Sequence, residues 1–173
     1  MNSIVLIGPP GSGKSTVGSR LSDHLLLPWL DTDLEIEKRA GKSISEIFID
    51  DGEERFRSLE AEIVHEVLQG NSTIISLGGG SVMNEETRLL IQDGTNLVIY
   101  LEVGIAAAAP RIGFNRDRPL LLVNPRQQWL SLFEKRRPVY ESLADLKINN
   151  DGDSPDAAVE MIQSAWKERH GKD

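Results

Sequence analysis

Residues 8–16, GPPGSGKST, fit the pattern G-x-x-x-x-G-K-[ST], and no other stretch constrains the fold as tightly. Before it stands Ile4-Val5-Leu6-Ile7, apolar throughout and mostly β-branched, as a strand buried on both faces requires. After it, Val17, Leu21 and Leu25 recur at helical spacing. The order is therefore strand, glycine loop, helix, the setting in which such a loop holds phosphate. The residue types suit that work: glycines let backbone N–H groups curl around a β-phosphate, Lys14 neutralises β and γ oxygens, and Ser15 can ligate Mg²⁺. Gly11, Ser12, Gly13, Lys14, Ser15 and Thr16 are the expected nucleotide-binding residues.

Similar apolar runs at residues 26–30, 73–77, 97–101 and 146–148 alternate with helical patterns. That alternation predicts an α/β protein whose parallel sheet is covered by helices on both faces. A length of 173 residues suits one domain with small inserted segments. Two stretches interrupt the alternation: residues 34–60, with extra helices between the second and third strands, and residues 112–124, IGFNRDRPLLLVN, a loop carrying Arg116 and Arg118. Ser43-Ile44-Ser45-Glu46 is a capping box, Pro125 suits the first turn of a long helix ending near Ala144, and Ser154-Pro155 opens the last helix.

The formal net charge of −8 disfavours nucleic acid as a partner, because that affinity comes from Lys and Arg neutralising backbone phosphates. A local basic cluster can still hold a small anion. Without cysteine there is neither a disulfide nor a thiolate metal site, and His24, His65 and His170 lack ligand spacing. The apolar run at the N-terminus is too short for a signal peptide, and no segment reaches the roughly 20 apolar residues of a membrane span. The expectation is a cytoplasmic protein with no membrane partner.

A phosphate loop does not say what receives the phosphoryl group. LPWLDTD ends the second expected strand with Asp31 and Asp33, which point the same way if the strand continues. Placed at a strand's C-terminal end, one could support Mg²⁺ through water while the other takes a hydroxyl proton; alternatively, both merely open the next helix. DGEERFRSLE sets Arg55, Arg57, Glu53, Glu54 and Glu60 on a helix, either as a solvated ion-paired face or as part of a site. In SLGGGSV, Gly78, Gly79 and Gly80 directly follow a strand, where backbone can approach a ligand closely. Arg116, Arg118, Arg136 and Arg137 are either surface charges or donors to a triphosphate or an acidic acceptor.

In this order, GPPGSGKST, DTD, GEERFR, LGGG, RDRPLL and RRPVY resemble the shikimate kinase family over roughly residues 4–148. The resemblance implies a three-layer P-loop kinase fold like that of nucleoside monophosphate kinases, with a five-stranded parallel sheet, an acceptor-binding segment and a lid. The interruptions at 34–60 and 112–124 fall where it puts that segment and that lid. It implies transfer of the γ-phosphoryl of ATP to the 3-hydroxyl of shikimate, on the way to chorismate and aromatic amino acids, by a monomer. Lys14 and Ser15 would serve ATP and Mg²⁺, with Asp31 holding the metal through water. Asp33 would bind the acceptor hydroxyls and act as base or orienter. Arg57, Arg136 and the Gly79 backbone would hold the shikimate carboxylate, flanked by Gly78 and Gly80. Arg118 would close with the lid onto the phosphates, assisted by Arg111.

The chain departs from the family pattern in NNDGDSP, where a basic residue often stands near the adenine, and in the alanine-rich VGIAAAAPRIGFN ahead of the lid. Other readings are a gluconate kinase-like enzyme of the same fold, a nucleoside monophosphate kinase, and a non-catalytic nucleotide-binding module. The last should have lost Lys14, Asp33 or Arg118, and all three are present. Trp29, Trp129 and Trp166 read as packing residues.

Overall fold

The computed structural model describes residues 2–70, 72–112 and 124–171. Five strands, β1 (Ile4–Ile7), β2 (Trp29–Asp31), β3 (Ile74–Ser76), β4 (Leu97–Glu102) and β5 (Leu146–Asn149), form one sheet in the order β2-β3-β1-β4-β5. Every pairing is parallel. The helices are α1 (Lys14–Leu25), α2 (Thr32–Ala40), α3 (Ile44–Asp50), α4 (Gly52–Leu68), α5 (Glu85–Asp93), α6 (Ile105–Ile112), α7 (Pro125–Leu143) and α8 (Asp156–His170), with a single 3₁₀ turn at Ser81–Met83.

Alternation along β1 explains why its residues are apolar without a break. Ile4 and Leu6 face one cluster, packed with Val17 and Leu21 of α1 and Val159 and Ile162 of α8. Val5 and Ile7 face another, packed with Val64 and Leu68 of α4, Ile91 of α5 and Tyr140 and Leu143 of α7. Helices on both faces give the three layers expected. A smaller cluster of Ile36, Ile47, Phe56 and Ile63 binds α2, α3 and α4 into the segment inserted between β2 and β3.

The register levels the strand ends. Leu6 pairs with Ser76, and Ser76 pairs with Asp31, so the segments following β1, β2 and β3 leave the sheet along one edge. β3 lies between β2 and β1, and the chain then crosses β1 to reach β4, which makes this edge the crevice where ligands of open α/β sheets bind.

The second strand is shorter than the apolar run at 26–30 suggested. α1 ends on Leu26 in the left-handed conformation (φ 55°), and Pro28 has no N–H to give, although its carbonyl accepts the Ile74 N–H at 2.8 Å. Helix starts follow the sequence closely: the Ser43–Glu46 capping box is formed in both directions, and Pro125 is the first residue of α7. The last helix begins at Asp156, whose N–H is received by Ser154 Oγ at 3.2 Å. Most of the 112–124 stretch, including Arg116 and Arg118, lies outside the described residues.

Leu6→Ala empties a fully buried position at the sheet centre. It is expected to lower unfolding free energy by about 2–5 kcal/mol, read from the urea midpoint at unchanged slope.

Candidate active site

The glycine loop turns from β1 into α1 through left-handed backbone at Gly11 (φ 80°) and Gly13 (φ 89°), the latter being the residue before the helix. Lys14 folds back along the loop, its Nζ donating to Gly8 O at 2.8 Å and Pro9 O at 3.1 Å. From outside, other elements reach the loop carbonyls. Trp129 Nε1 donates to Pro10 O at 3.0 Å, Arg111 Nη1 to Gly11 O at 3.2 Å, and the Asn150 amide to Ser12 O at 2.8 Å. The loop borders a cleft lined by Gly11, Gly13, Lys14, Ser15 and Thr16 together with Asp31, Asp33 and Arg111.

β2 stops at Asp31, so Asp31 and Asp33 do not share a strand face; Asp33 stands in the first turn of α2. Asp31 accepts from three donors. Its Oδ1 accepts the N–H groups of Asp33 (3.0 Å) and Leu34 (3.4 Å) and caps α2, while its Oδ2 accepts the Ser15 hydroxyl. This carboxylate thus caps a helix and touches the glycine loop at the same time. Asp33 lies against Gly78, where a Cβ would sit 2.7 Å from its Oδ1.

A second cleft opens beside the first, lined by Asp33, Arg57, Glu60, Gly78, Gly79, Gly80 and Arg136, with apolar walls from Ile44, Phe48, Phe56, Trp129 and Phe133. Pro10, Asp33, Gly78 and Gly79 border both clefts. Arg57, from α4, and Arg136, from α7, converge on the glycine loop after β3. A Cβ on Gly80 would lie 2.8 Å from Arg57 Nη1 and 3.1 Å from Arg136 Nη2, so a side chain there would push the guanidinium groups from these positions. Arg57 is held by Glu60 at 2.8 Å, and Glu60 also accepts the Ser81 hydroxyl at 3.0 Å. Glu60 is buried rather than part of a solvated face; its neighbours Glu54 and Arg55 are exposed.

RRPVY divides by helical phase. Arg136 faces the cleft, while Arg137 pairs outside it with Glu141 at 2.9 Å. Tyr140, one turn beyond Arg136, donates its hydroxyl to Gly79 O and stacks on Tyr100 with ring centroids 5.2 Å apart. Burial pushes the Tyr140 hydroxyl up to about 12, so it remains a donor throughout the neutral range. Arg111 donates to Asn150 O (2.7 Å) and Gly152 O (2.6 Å) as well as to the phosphate loop, tying NNDGDSP to the nucleotide side. In that segment the Gly104 N–H, followed by the Asn149 amide, holds the Asp151 carboxyl below its usual range.

Sequence reasoning had no signal for the donors Trp129, Tyr140 and Asn150, because each acts on a carbonyl far away in the chain. Among the described residues no group of three or more His, Cys, Asp or Glu could hold a metal. No helix among them is long and apolar enough to cross a membrane.

The sequence profile of the shikimate kinase family matches residues 10–167. A shikimate kinase from Thermobifida fusca is 49% identical over 158 residues, covering 91% of this chain and 91% of that protein. Among solved structures, shikimate kinase from Acinetobacter baumannii in complex with shikimate aligns with a TM-score of 0.86 at 32% identity, over 96% of this chain and 92% of that one. A gluconokinase from Sinorhizobium meliloti shares the fold alone, with a TM-score of 0.59 at 18% identity over 99% of this chain and 98% of the other.

The helix cap made by Asp31 can be tested separately from its contact with Ser15. Asp31→Ala removes the α2 cap and is expected to cost about 0.5–2 kcal/mol of stability, whereas Asp31→Asn, which still caps, should stay within about 0.5 kcal/mol of the parent. Urea unfolding of both variants checks this; equal losses would mean that the cap is not what position 31 contributes to stability.

Proposed function

The chain belongs to the shikimate kinase family, and from that premise we propose how its own residues move the γ-phosphoryl of ATP to the 3-hydroxyl of shikimate. The observation that carries the proposal is the meeting of two clefts at Asp33: a phosphate cleft on one side, an arginine-lined cleft on the other. Phosphoryl transfer needs donor and acceptor in line and charge stabilised at the γ-phosphoryl, and little else.

On the nucleotide side, Gly11, Ser12, Gly13, Ser15 and Thr16 hold the ATP phosphates, and Lys14 neutralises β and γ oxygens. The paired oxygens of Ser15 and Asp31 suit Mg²⁺, a hard cation that takes one or two protein ligands and completes its shell with water and substrate phosphate. When bound there it neutralises charge on the β and γ oxygens. Ser15 would hold it directly, and Asp31 through water.

On the acceptor side, Arg57, Arg136 and the Gly79 backbone hold the shikimate carboxylate, with Gly80 against both guanidinium groups and Gly78 against Asp33 and Glu60. In a protein of net charge −8, such a clamp needs local positive charge held in place, and Glu60 braces Arg57 for it. Asp33 receives the acceptor hydroxyls, orients the 3-hydroxyl toward the γ-phosphoryl and takes its proton. Arg118 comes with the lid, residues 112–124, to stabilise the transferring phosphoryl, and closure excludes water as a competing acceptor. The whole chain, with residues 34–60 as acceptor segment, works as a single domain and as a cytoplasmic monomer, without nucleic-acid or membrane partners.

The test is steady-state ADP release from Mg·ATP with shikimate, gluconate, AMP or no acceptor. Turnover is expected with shikimate alone, and Asp33→Asn should lower kcat by about 10²–10⁴-fold. Turnover with gluconate or AMP instead would overturn the acceptor assignment while keeping the nucleotide site. Arg118→Ala is expected to lower kcat at least about tenfold while shikimate Kd stays within about threefold, because its charge is used in the transition state. An unchanged kcat would remove Arg118 from the mechanism.

A further inference from the structure

The carbonyls of Pro10, Gly11 and Ser12 are each received by a donor from another part of the chain: Trp129, Arg111 and Asn150. In a trans peptide the N–H lies opposite the carbonyl, and no cis peptide occurs among the described residues. A side chain that holds Pro10 O therefore also sets the direction of the Gly11 N–H, and Gly11 lines the phosphate cleft.

Trp129 differs from the other two donors in where it comes from. Arg111 stands in the last turn of α6 and Asn150 follows β5, both beside the nucleotide loop, whereas Trp129 belongs to α7, the helix that carries Arg136. Its ring also lines the acceptor cleft. It is 2% exposed, packed with Val103 and Ala108, and stacked on Phe133 with centroids 5.0 Å apart. An aliphatic residue would fill part of that space but would leave Pro10 O without this donor. Among large side chains, an indole combines an apolar body with an N–H at its rim.

We propose that Trp129 is a positioning residue for phosphoryl transfer: its indole N–H, fixed by the packing of α7, orients the Pro10–Gly11 peptide so that the Gly11 N–H is presented to the nucleotide phosphates. The ring and the N–H then serve different substrates. The ring walls the acceptor cleft, and the N–H acts on the nucleotide through the loop. The same helix thereby sets the spacing between the carboxylate clamp at Arg136 and the phosphate cradle. This rests on the reading of the loop as the ATP site.

The decisive substitution removes the N–H and keeps the ring, by incorporating β-(3-benzothienyl)alanine at position 129. Mg·ADP and shikimate affinities are measured by calorimetry, with KM and kcat from ADP release. Kd for Mg·ADP and KM for ATP are expected to rise about three- to tenfold, as loss of one hydrogen bond predicts, with shikimate Kd within about twofold of the parent. Trp129→Phe, which also removes bulk, should weaken both ligands. Unchanged Mg·ADP affinity in the isostere, or an equal loss for both ligands, would overturn the proposal. The unmodified protein separates the two readings. Should it fail to bind Mg·ADP, the ATP-site reading falls and takes this proposal with it; should it bind and the isostere match it, this proposal alone falls.

Discussion

Burial of β1 on both faces is the constraint on which the rest of the molecule depends. Ile4, Val5, Leu6 and Ile7 are all at most 1% exposed, and each such side chain contributes about 1.5–3 kcal/mol by leaving water. A strand buried that way needs parallel neighbours with helices above and below, and it has them in β3 and β4. Parallel pairing in level register then sends the segments after β1, β2 and β3 out of the same edge. The phosphate loop, Asp31 and the triple glycine meet there for reasons of packing before any chemistry is considered.

The site solves an electrostatic problem set by composition. With a net charge of −8 the protein as a whole repels anions, yet its proposed substrates, ATP and shikimate, are both anionic. Positive charge is gathered where α4 and α7 cross the glycine loop, by Arg57 and Arg136. Glu60 fixes one guanidinium by a short ion pair, and its second oxygen is occupied by Ser81. A buried carboxylate without such partners would be costly; paired, it gives Arg57 one geometry instead of many. Aromatic donors do similar work on backbone: Tyr140 on Gly79 O and Trp129 on Pro10 O, both from α7.

Much of this was legible in the residues. The strand-loop-helix order, the parallel sheet, the capping box at Ser43 and the start of α7 at Pro125 depend on neighbours in sequence, and local patterns report them. The pairing of DTD with the triple glycine and the arginines pointed to the family by order and spacing, and the family match bears that out. The second strand is shorter than its apolar run because α1 ends in the left-handed conformation at Leu26, which has no reliable signature in a leucine. Of the two placements the residues leave open for Asp31 and Asp33, a continuing strand or a helix start, the structure has the helix start, because Asp31 caps the helix that follows at once.

The sequence by itself determined the fold class, the phosphate loop with Lys14 and Ser15, and the family, since these follow from backbone requirements of glycine, from burial periodicity and from motif order. Only the tertiary structure decided which of the ambiguous charges line the clefts. Arg136 faces the cleft while Arg137, its neighbour, pairs with Glu141 outside it, and Glu60 is buried beside Arg57 while Arg55 is exposed. Helical phase relative to a packed neighbour separates such residues, and that phase is set by contacts between elements distant in the chain. The same holds for Trp129, Tyr140 and Asn150, whose partners are carbonyls that any residue type could have provided.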